Sequence, residues 1–117
     1  MIEKAPSNIS PIDLLDWLQS DSQRPLLIDV REESELAIAS FTEEVLHCPL
    51  SLASSWITTL PEQLSKQQSV VVICHSGIRS WNFASWLIEK GCISEVWNLE
   101  GGIDAWSAQV DPSVPRY

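Results

Sequence analysis

The chain has 117 residues, of which 44% are hydrophobic, and this is enough for one globular domain with a real core. Its formal net charge of −9 argues against nucleic acid and against anionic membranes, because both attract basic surfaces. The three cysteines are an odd number at spacings that suit neither a disulfide scaffold nor zinc, so we expect no metal and no cofactor.

The beginning of the chain lacks the apolar core of a signal peptide, and no apolar run approaches the roughly 20 residues that a membrane span needs. We therefore expect a cytoplasmic protein with reduced thiols. A monomer is taken as the default state.

Helical and strand patterns alternate along the chain. Helices are predicted at residues 11–19 with Ser10 as N-cap, 32–39, 52–68 with a break at Pro61, 79–90 with Gly91 as C-cap, and from 101 to 106. Strands are predicted at residues 25–30, 45–50, 69–73 and 95–99.

This alternation predicts an α/β fold, with a small parallel sheet flanked by helices on both faces. No linker or repeat divides the chain, so residues 1–117 are expected to form one domain with its core at about 9–108. The tail 111–117 is expected to be loose or draped on the surface. In parallel sheets of this kind, ligands bind beyond the carboxyl ends of the strands.

The segment 69–91 carries the chemistry, because it reads as a buried strand, a tight loop and a helix. Cys74 lies where the strand ends. The turn into the helix can direct several backbone N–H groups at one point, and such a nest stabilises a thiolate. Gly77 permits the unusual backbone angle, and Arg79 adds a planar cation suited to an oxyanion. Cys48 and Cys92, in contrast, are interpreted as buried apolar packing groups.

The candidate nucleophile is therefore Cys74, and no metal ligand is predicted. The candidate substrate-binding residues are those that follow it in the loop and the first turn of the helix, namely His75, Ser76, Gly77, Ile78, Arg79 and Ser80. Ser76 and Ser80 can donate hydroxyl hydrogen bonds.

Three segments resemble hallmarks of the rhodanese family. They are the loop Cys74-His75-Ser76-Gly77-Ile78-Arg79-Ser80, the segment Leu27-Ile28-Asp29-Val30-Arg31-Glu32 with Glu35 as its downstream acid, and the segment from Asn98 to Trp106. The resemblance as a whole extends from about Ile9 to Trp106, and three motifs in the family's order are far more specific than one.

The resemblance implies a sulfurtransferase in which Cys74 carries a persulfide. The sulfur donor would be a small anion such as thiosulfate or a protein persulfide, and the acceptor would be a thiol or cyanide. Loop amides from His75 to Arg79 would hold the charged sulfur. His75 replaces what is often an arginine in the family, which predicts weaker capture of thiosulfate and agrees with the acidic composition.

Two alternatives remain open. A cysteine phosphatase or arsenate reductase has five residues between its cysteine and arginine, whereas four intervene here and Ser80 occupies the position of that arginine. A non-catalytic module for protein interaction or redox sensing is the other alternative, and the exposed face of Trp81 could serve such docking. The presence of Cys74 and Arg79 favours the enzyme.

Overall fold

The computed structural model describes residues 5–20, 23–64, 68–91, 93 and 95–117. Within them, one parallel sheet has the strand order β1-β5-β4-β2-β3. The strands are β1 (Ser7–Ile9), β2 (Leu26–Asp29), β3 (Leu46–His47), β4 (Val70–Ile73) and β5 (Val96–Leu99). Because all strands run the same way, their carboxyl ends meet at one edge, and β4 is in the centre.

The described residues also form six α-helices, of which the last follows β5. They are α1 (Pro11–Gln19), α2 (Glu33–Ile38), α3 (Ala53–Trp56), α4 (Leu60–Gln63), α5 (Ile78–Glu89) and α6 (Gly102–Gln109), with a 3₁₀ turn at Leu50–Leu52. Ser10 caps α1 as predicted, because its Oγ accepts a hydrogen bond of 3.1 Å from the Asp13 amide.

The sheet separates two hydrophobic cores, as the alternation of side chains along a strand requires. Val70 and Val72 of β4 face one core, which α5 completes with Phe83 and Leu87. The next residues along the strand, Val71 and Ile73, face the opposite core, into which α1 and α6 insert the side chains Leu14, Ile103 and Trp106. The predicted α/β architecture with helices on both faces is therefore confirmed, and Cys74 continues the row of Val70 and Val72.

Two sequence predictions need correction. β1 was not predicted, since three residues at the edge of the sheet are too few to show a period; it pairs with β5 through Ser7–Trp97, Asn8–Asn98 and Ile9–Leu99. The helix predicted at 52–68 is two short helices, and the chain breaks at the turn 57–59 rather than at Pro61. Pro61 lies in the first turn of α4, where its missing N–H is tolerated. Residues 65–67 lie outside the described part.

The segment 110–117 is packed against the domain rather than loose. Val114 is buried in the same core as Ile103 and Trp106, and its carbonyl accepts a hydrogen bond from the Ser107 hydroxyl. Arg116 forms a two-point ion pair with Asp104 of α6, at 2.8 and 3.0 Å. The sequence could not show this packing because these contacts join a polar, proline-rich segment to a preceding helix. Among the described helices, none is long and apolar enough to cross a membrane.

Candidate active site

The sulfur of Cys74 lies at the carboxyl end of the central strand and receives two hydrogen bonds. The Gly77 amide donates to Sγ at 3.1 Å, and the Ser80 hydroxyl donates at 3.2 Å. The residue itself is only 1% exposed. Hydrogen bonds from two neutral donors stabilise a negative charge on the sulfur in a site with little water.

Gly77 lets the loop turn back on the sulfur. Its φ of 106° is a left-handed conformation that other residues resist, and it precedes α5 as the N-cap. The carbonyl of Gly77 accepts a hydrogen bond of 3.2 Å from the Asn98 side chain, whose oxygen shares the single Ser80 hydroxyl proton with the Cys74 sulfur. Asn98 of β5 thus holds both groups that donate to Cys74.

The N-terminal end of α6 is hydrogen-bonded to the start of the Cys74 loop. The amides of Ile103 and Asp104 donate to the carbonyls of Cys74 and His75 at 2.8 and 3.1 Å. This approach requires a glycine at position 102, because a Cβ there would be 2.4 Å from the His75 oxygen and 2.5 Å from the Cys74 oxygen. The helix end therefore fixes the first two residues of the loop.

Arg79 is bound by Glu35 rather than left open for an anion. Two short hydrogen bonds of 2.6 and 2.8 Å join the guanidinium to both carboxylate oxygens. The Arg79 guanidinium lowers the pKa of Glu35 to about 2, and Glu35 raises the pKa of Arg79. Glu35 reaches this position because α2 begins with a capping box between Glu32 and Glu35. An incoming anion therefore meets a cation whose charge is already largely balanced.

A second ion pair lies behind the first. Arg31 and Asp29 are completely buried, and the Arg31 guanidinium contacts both Asp29 oxygens, at 2.8 to 3.2 Å. The remaining nitrogen of Arg31 donates to the Tyr117 hydroxyl at 3.1 Å, and that hydroxyl donates to Glu35 at 2.7 Å. The Tyr117 ring stacks on the His75 ring with centroids 4.1 Å apart. Burial raises the pKa of Tyr117, which keeps its hydroxyl protonated and able to donate.

The structure divides the predicted site residues into three groups. Cys74, Gly77 and Ser80 meet at the sulfur, as described above. Ser76 and Ile78 face solvent, with Ile78 71% exposed. His75 and Arg79 are turned toward Tyr117 and Glu35.

Sequence reasoning assigned no role to Asn98, Glu35 or Tyr117, although the first two lie inside the quoted hallmarks. The available signal for Glu35 and Asn98 was that each is a polar residue in a segment that resembles the family. No pattern pointed to Tyr117, since it follows the last helix by several residues. Within the described ranges, no cluster of three or more His, Cys, Asp or Glu side chains could hold a metal ion.

The comparison with protein families gives one match, a rhodanese-like domain over residues 10–109. Among curated proteins, the chain is 33% identical over 95 residues to a sulfurtransferase of Allochromatium vinosum, covering 81% of this chain and 83% of that protein. It is 34% identical over 104 residues to the putative sulfurtransferase YtwF of Bacillus subtilis, covering 89% and 93%.

Some relatives are much longer. The rhodanese-like/PpiC domain-containing protein 12, chloroplastic, of Arabidopsis thaliana is 40% identical over 109 residues, and these cover 88% of this chain but 36% of that protein. Among solved structures, a rhodanese-like domain protein from Staphylococcus aureus superposes with a TM-score of 0.73 at 22% identity, covering 95% and 98% of the two chains. The sheet order, the loop around Cys74 and the match over residues 10–109 agree, and the chain belongs to the rhodanese-like domain family.

Proposed function

We propose that this protein is a sulfurtransferase that carries a sulfane sulfur on Cys74. The observation that carries the proposal is the pair of hydrogen bonds from Gly77 and Ser80 to the Cys74 sulfur at the end of the central strand. These donors stabilise negative charge on the nucleophile and on the leaving thiolate, so they assist both halves of the reaction.

The reaction has two displacements at sulfur. The Cys74 thiolate attacks the outer sulfur of the donor, a new S–S bond forms, and the donor's own bond breaks with its electron pair staying on the departing group. With thiosulfate that group is sulfite. A thiol or cyanide acceptor then attacks the outer sulfur of the persulfide and releases the Cys74 thiolate. A thiol acceptor loses its proton and becomes a persulfide, while cyanide becomes thiocyanate. The enzyme undergoes no net oxidation.

A persulfide is the better proposed donor than free thiosulfate. Thiosulfate is a dianion, the chain has a net charge of −9, and the one arginine that directly follows the loop is paired with Glu35. A persulfide presents a single charge at the sulfur that reacts. We also infer a reducing compartment such as the cytoplasm, because the cycle needs Cys74 to return as a free thiolate.

Mass spectrometry of the intact protein tests the proposal. The reduced protein is incubated with thiosulfate, and separately with glutathione persulfide, and is then examined for the added mass of one sulfur atom on Cys74. We expect an adduct that a thiol acceptor or cyanide removes, and none in Cys74→Ser. No adduct from either donor would contradict the proposal. Hydrolysis of an aryl phosphate that is lost in Cys74→Ser would support the phosphatase alternative instead.

A further inference from the structure

Tyr117 lies against both ends of the loop that surrounds Cys74. Its ring stacks on His75, the residue directly after Cys74, with centroids 4.1 Å apart and planes 9° apart. Its hydroxyl is 2.7 Å from Glu35, which binds Arg79 at the far end of the loop. Tyr117 therefore contacts the residue after Cys74 directly, and it contacts Arg79 through Glu35.

The position of Tyr117 is well determined by its contacts. Arg31, itself completely buried, donates to the hydroxyl at 3.1 Å, and the guanidinium carbon lies 6.0 Å from the centre of the ring. The preceding residue, Arg116, is paired with Asp104, and Val114 is buried in the core. These contacts hold the Tyr117 ring against the domain.

The residues around the sulfur differ in their exposure to solvent. Cys74 is 1% exposed, His75 is partly buried, and Tyr117 is 36% exposed. The stacked rings of Tyr117 and His75 therefore form part of the surface beside the buried sulfur. A substrate that approaches the sulfur past His75 meets the Tyr117 ring.

We propose that Tyr117 is a specificity-determining residue that limits the size of the sulfur donors and acceptors that reach Cys74. The inference rests on the proposed function, since donors and acceptors are defined by it. A slim donor, with its sulfur at the end of an unbranched chain, passes the ring. A low-molecular-weight persulfide is such a donor, and thiosulfate passes because it is small. A donor with a bulky group next to the sulfur is excluded.

Alkylation of Cys74 by two reagents of one chemistry measures this directly. Iodoacetamide is small, and a fluorescein-linked iodoacetamide is bulky. Both attack the same thiolate, so the ratio of their rates is independent of thiolate reactivity and reports access alone. We expect Tyr117→Leu to raise the ratio of bulky to small reagent by about tenfold, which is the scale of size discrimination in an apolar site. Tyr117→Phe keeps the ring and loses both hydrogen bonds, and we expect a smaller rise.

Two controls separate access from unfolding. Cys48 is 2% exposed within the core, so its labelling reports loss of the fold. Arg24→Gln breaks an exposed ion pair with Glu43 at the opposite edge of the sheet, and it should leave the ratio unchanged. An unchanged ratio in both Tyr117 variants overturns the proposal. If Tyr117→Leu labels Cys48, the ratio is measured in Tyr117→Met, which also removes the ring, and an unchanged ratio there overturns the proposal.

Sulfur transfer gives the second readout. The KM for a bulky aryl thiosulfonate should fall in Tyr117→Leu, while the KM for thiosulfate stays as in the wild type. A parallel change for both donors would indicate a general effect on the loop and would contradict a role in specificity. If the wild type accepts sulfur from no donor while the alkylation ratio responds to Tyr117→Leu, the proposed function fails and the role of Tyr117 at the entrance stands.

Discussion

Two buried cysteines lie at the same edge of the sheet, and their surroundings differ in kind. Cys48 follows β3 and Cys74 follows β4, with β2 between the two strands. Both are at most 2% exposed, and both belong to the same hydrophobic core. The sulfur of Cys74 receives two hydrogen bonds, whereas in the described part of the chain no hydrogen bond reaches the sulfur of Cys48.

The difference shows that burial alone does not make a reactive thiol. Desolvation without donors raises the pKa of Cys48 to about 11, which keeps that thiol neutral and inert. At Cys74 the same burial is accompanied by a turned loop, a serine at the start of α5 and an asparagine from β5 that orients them. The hydrogen-bond donors around the sulfur are therefore what distinguishes Cys74, as a candidate nucleophile, from a buried cysteine that only packs.

The largest effect is expected from exchanging each cysteine for serine. Cys74→Ser should abolish the sulfur adduct, because the nucleophile is gone. Cys48→Ser should leave the rate of adduct formation unchanged and lower the free energy of unfolding by about 1–3 kcal/mol, since it places a hydroxyl among apolar side chains. Intact mass and urea unfolding measure the two quantities. A loss of adduct in Cys48→Ser would remove the distinction between the sites.

Gly102→Ala should be the next most severe change. The added Cβ would meet the carbonyl oxygens of Cys74 and His75 at 2.5 and 2.4 Å, and both belong to backbone that cannot move aside cheaply. We expect a loss of about 2–4 kcal/mol in the free energy of unfolding together with slow adduct formation.

Gly91→Ala is the matched control for Gly102→Ala. Gly91 has a similar φ of 69° against 62°, but no atom lies within 4 Å of a Cβ placed there. It should show only the cost of the backbone conformation, about 1 kcal/mol. Equal losses in the two variants would mean that the close contact of α6 with the loop is unimportant.

Ser80→Ala removes one of the two donors to the Cys74 sulfur. A hydrogen bond to a charged group contributes about 1.5–3 kcal/mol, so we expect adduct formation to slow by about tenfold or more. The change also leaves the Asn98 oxygen without its Ser80 partner, which lowers stability. Ser85→Ala is the control on the same helix, since that hydroxyl donates to the Trp81 carbonyl and not to the Cys74 sulfur. The rates in the two variants are obtained by quenching the reaction at successive times and measuring the adduct by intact mass. Equal rates in Ser80→Ala and Ser85→Ala would contradict the role of Ser80.

The smallest expected effect is a loss of folding stability at acid pH, as Glu35 becomes protonated. The folded-state pKa of about 2 is below the ordinary value of 4.5, so the carboxylate stabilises the fold fully above about pH 4.5 and loses this contribution as the pH falls towards 2. Glu35→Gln should be less stable than the wild type at neutral pH, and the difference should shrink below pH 4.5. Thermal unfolding across this range measures it, and a constant difference would show that Arg79 is not the cause.

Local patterns were sufficient for the fold class and pointed to Cys74 as the candidate nucleophile. The alternation of apolar runs and amphipathic helices requires buried parallel strands, and an apolar run that ends in Cys74 and continues through Gly77 into a helix requires a turn at that point. Ser76 and Ser80 were both expected to donate hydroxyl hydrogen bonds, and Ser80 does so to the Cys74 sulfur, whereas Ser76 faces solvent. The correct inferences succeed because the contacts concerned join residues close in the chain.

The surroundings of the loop depended on contacts between distant segments, and only the tertiary structure decided them. Asn98 reaches Gly77 and Ser80 from another strand, and Glu35 binds Arg79 across 44 positions of the chain. Tyr117 meets Glu35 across 82 positions and also stacks on His75. Sequence periodicity reports which face of an element is buried, but not which polar side chains two distant elements place at one point. For this reason the sequence pointed to Cys74 as a candidate, while the folded chain determined that Arg79 is paired with Glu35 and that Tyr117 stacks on His75.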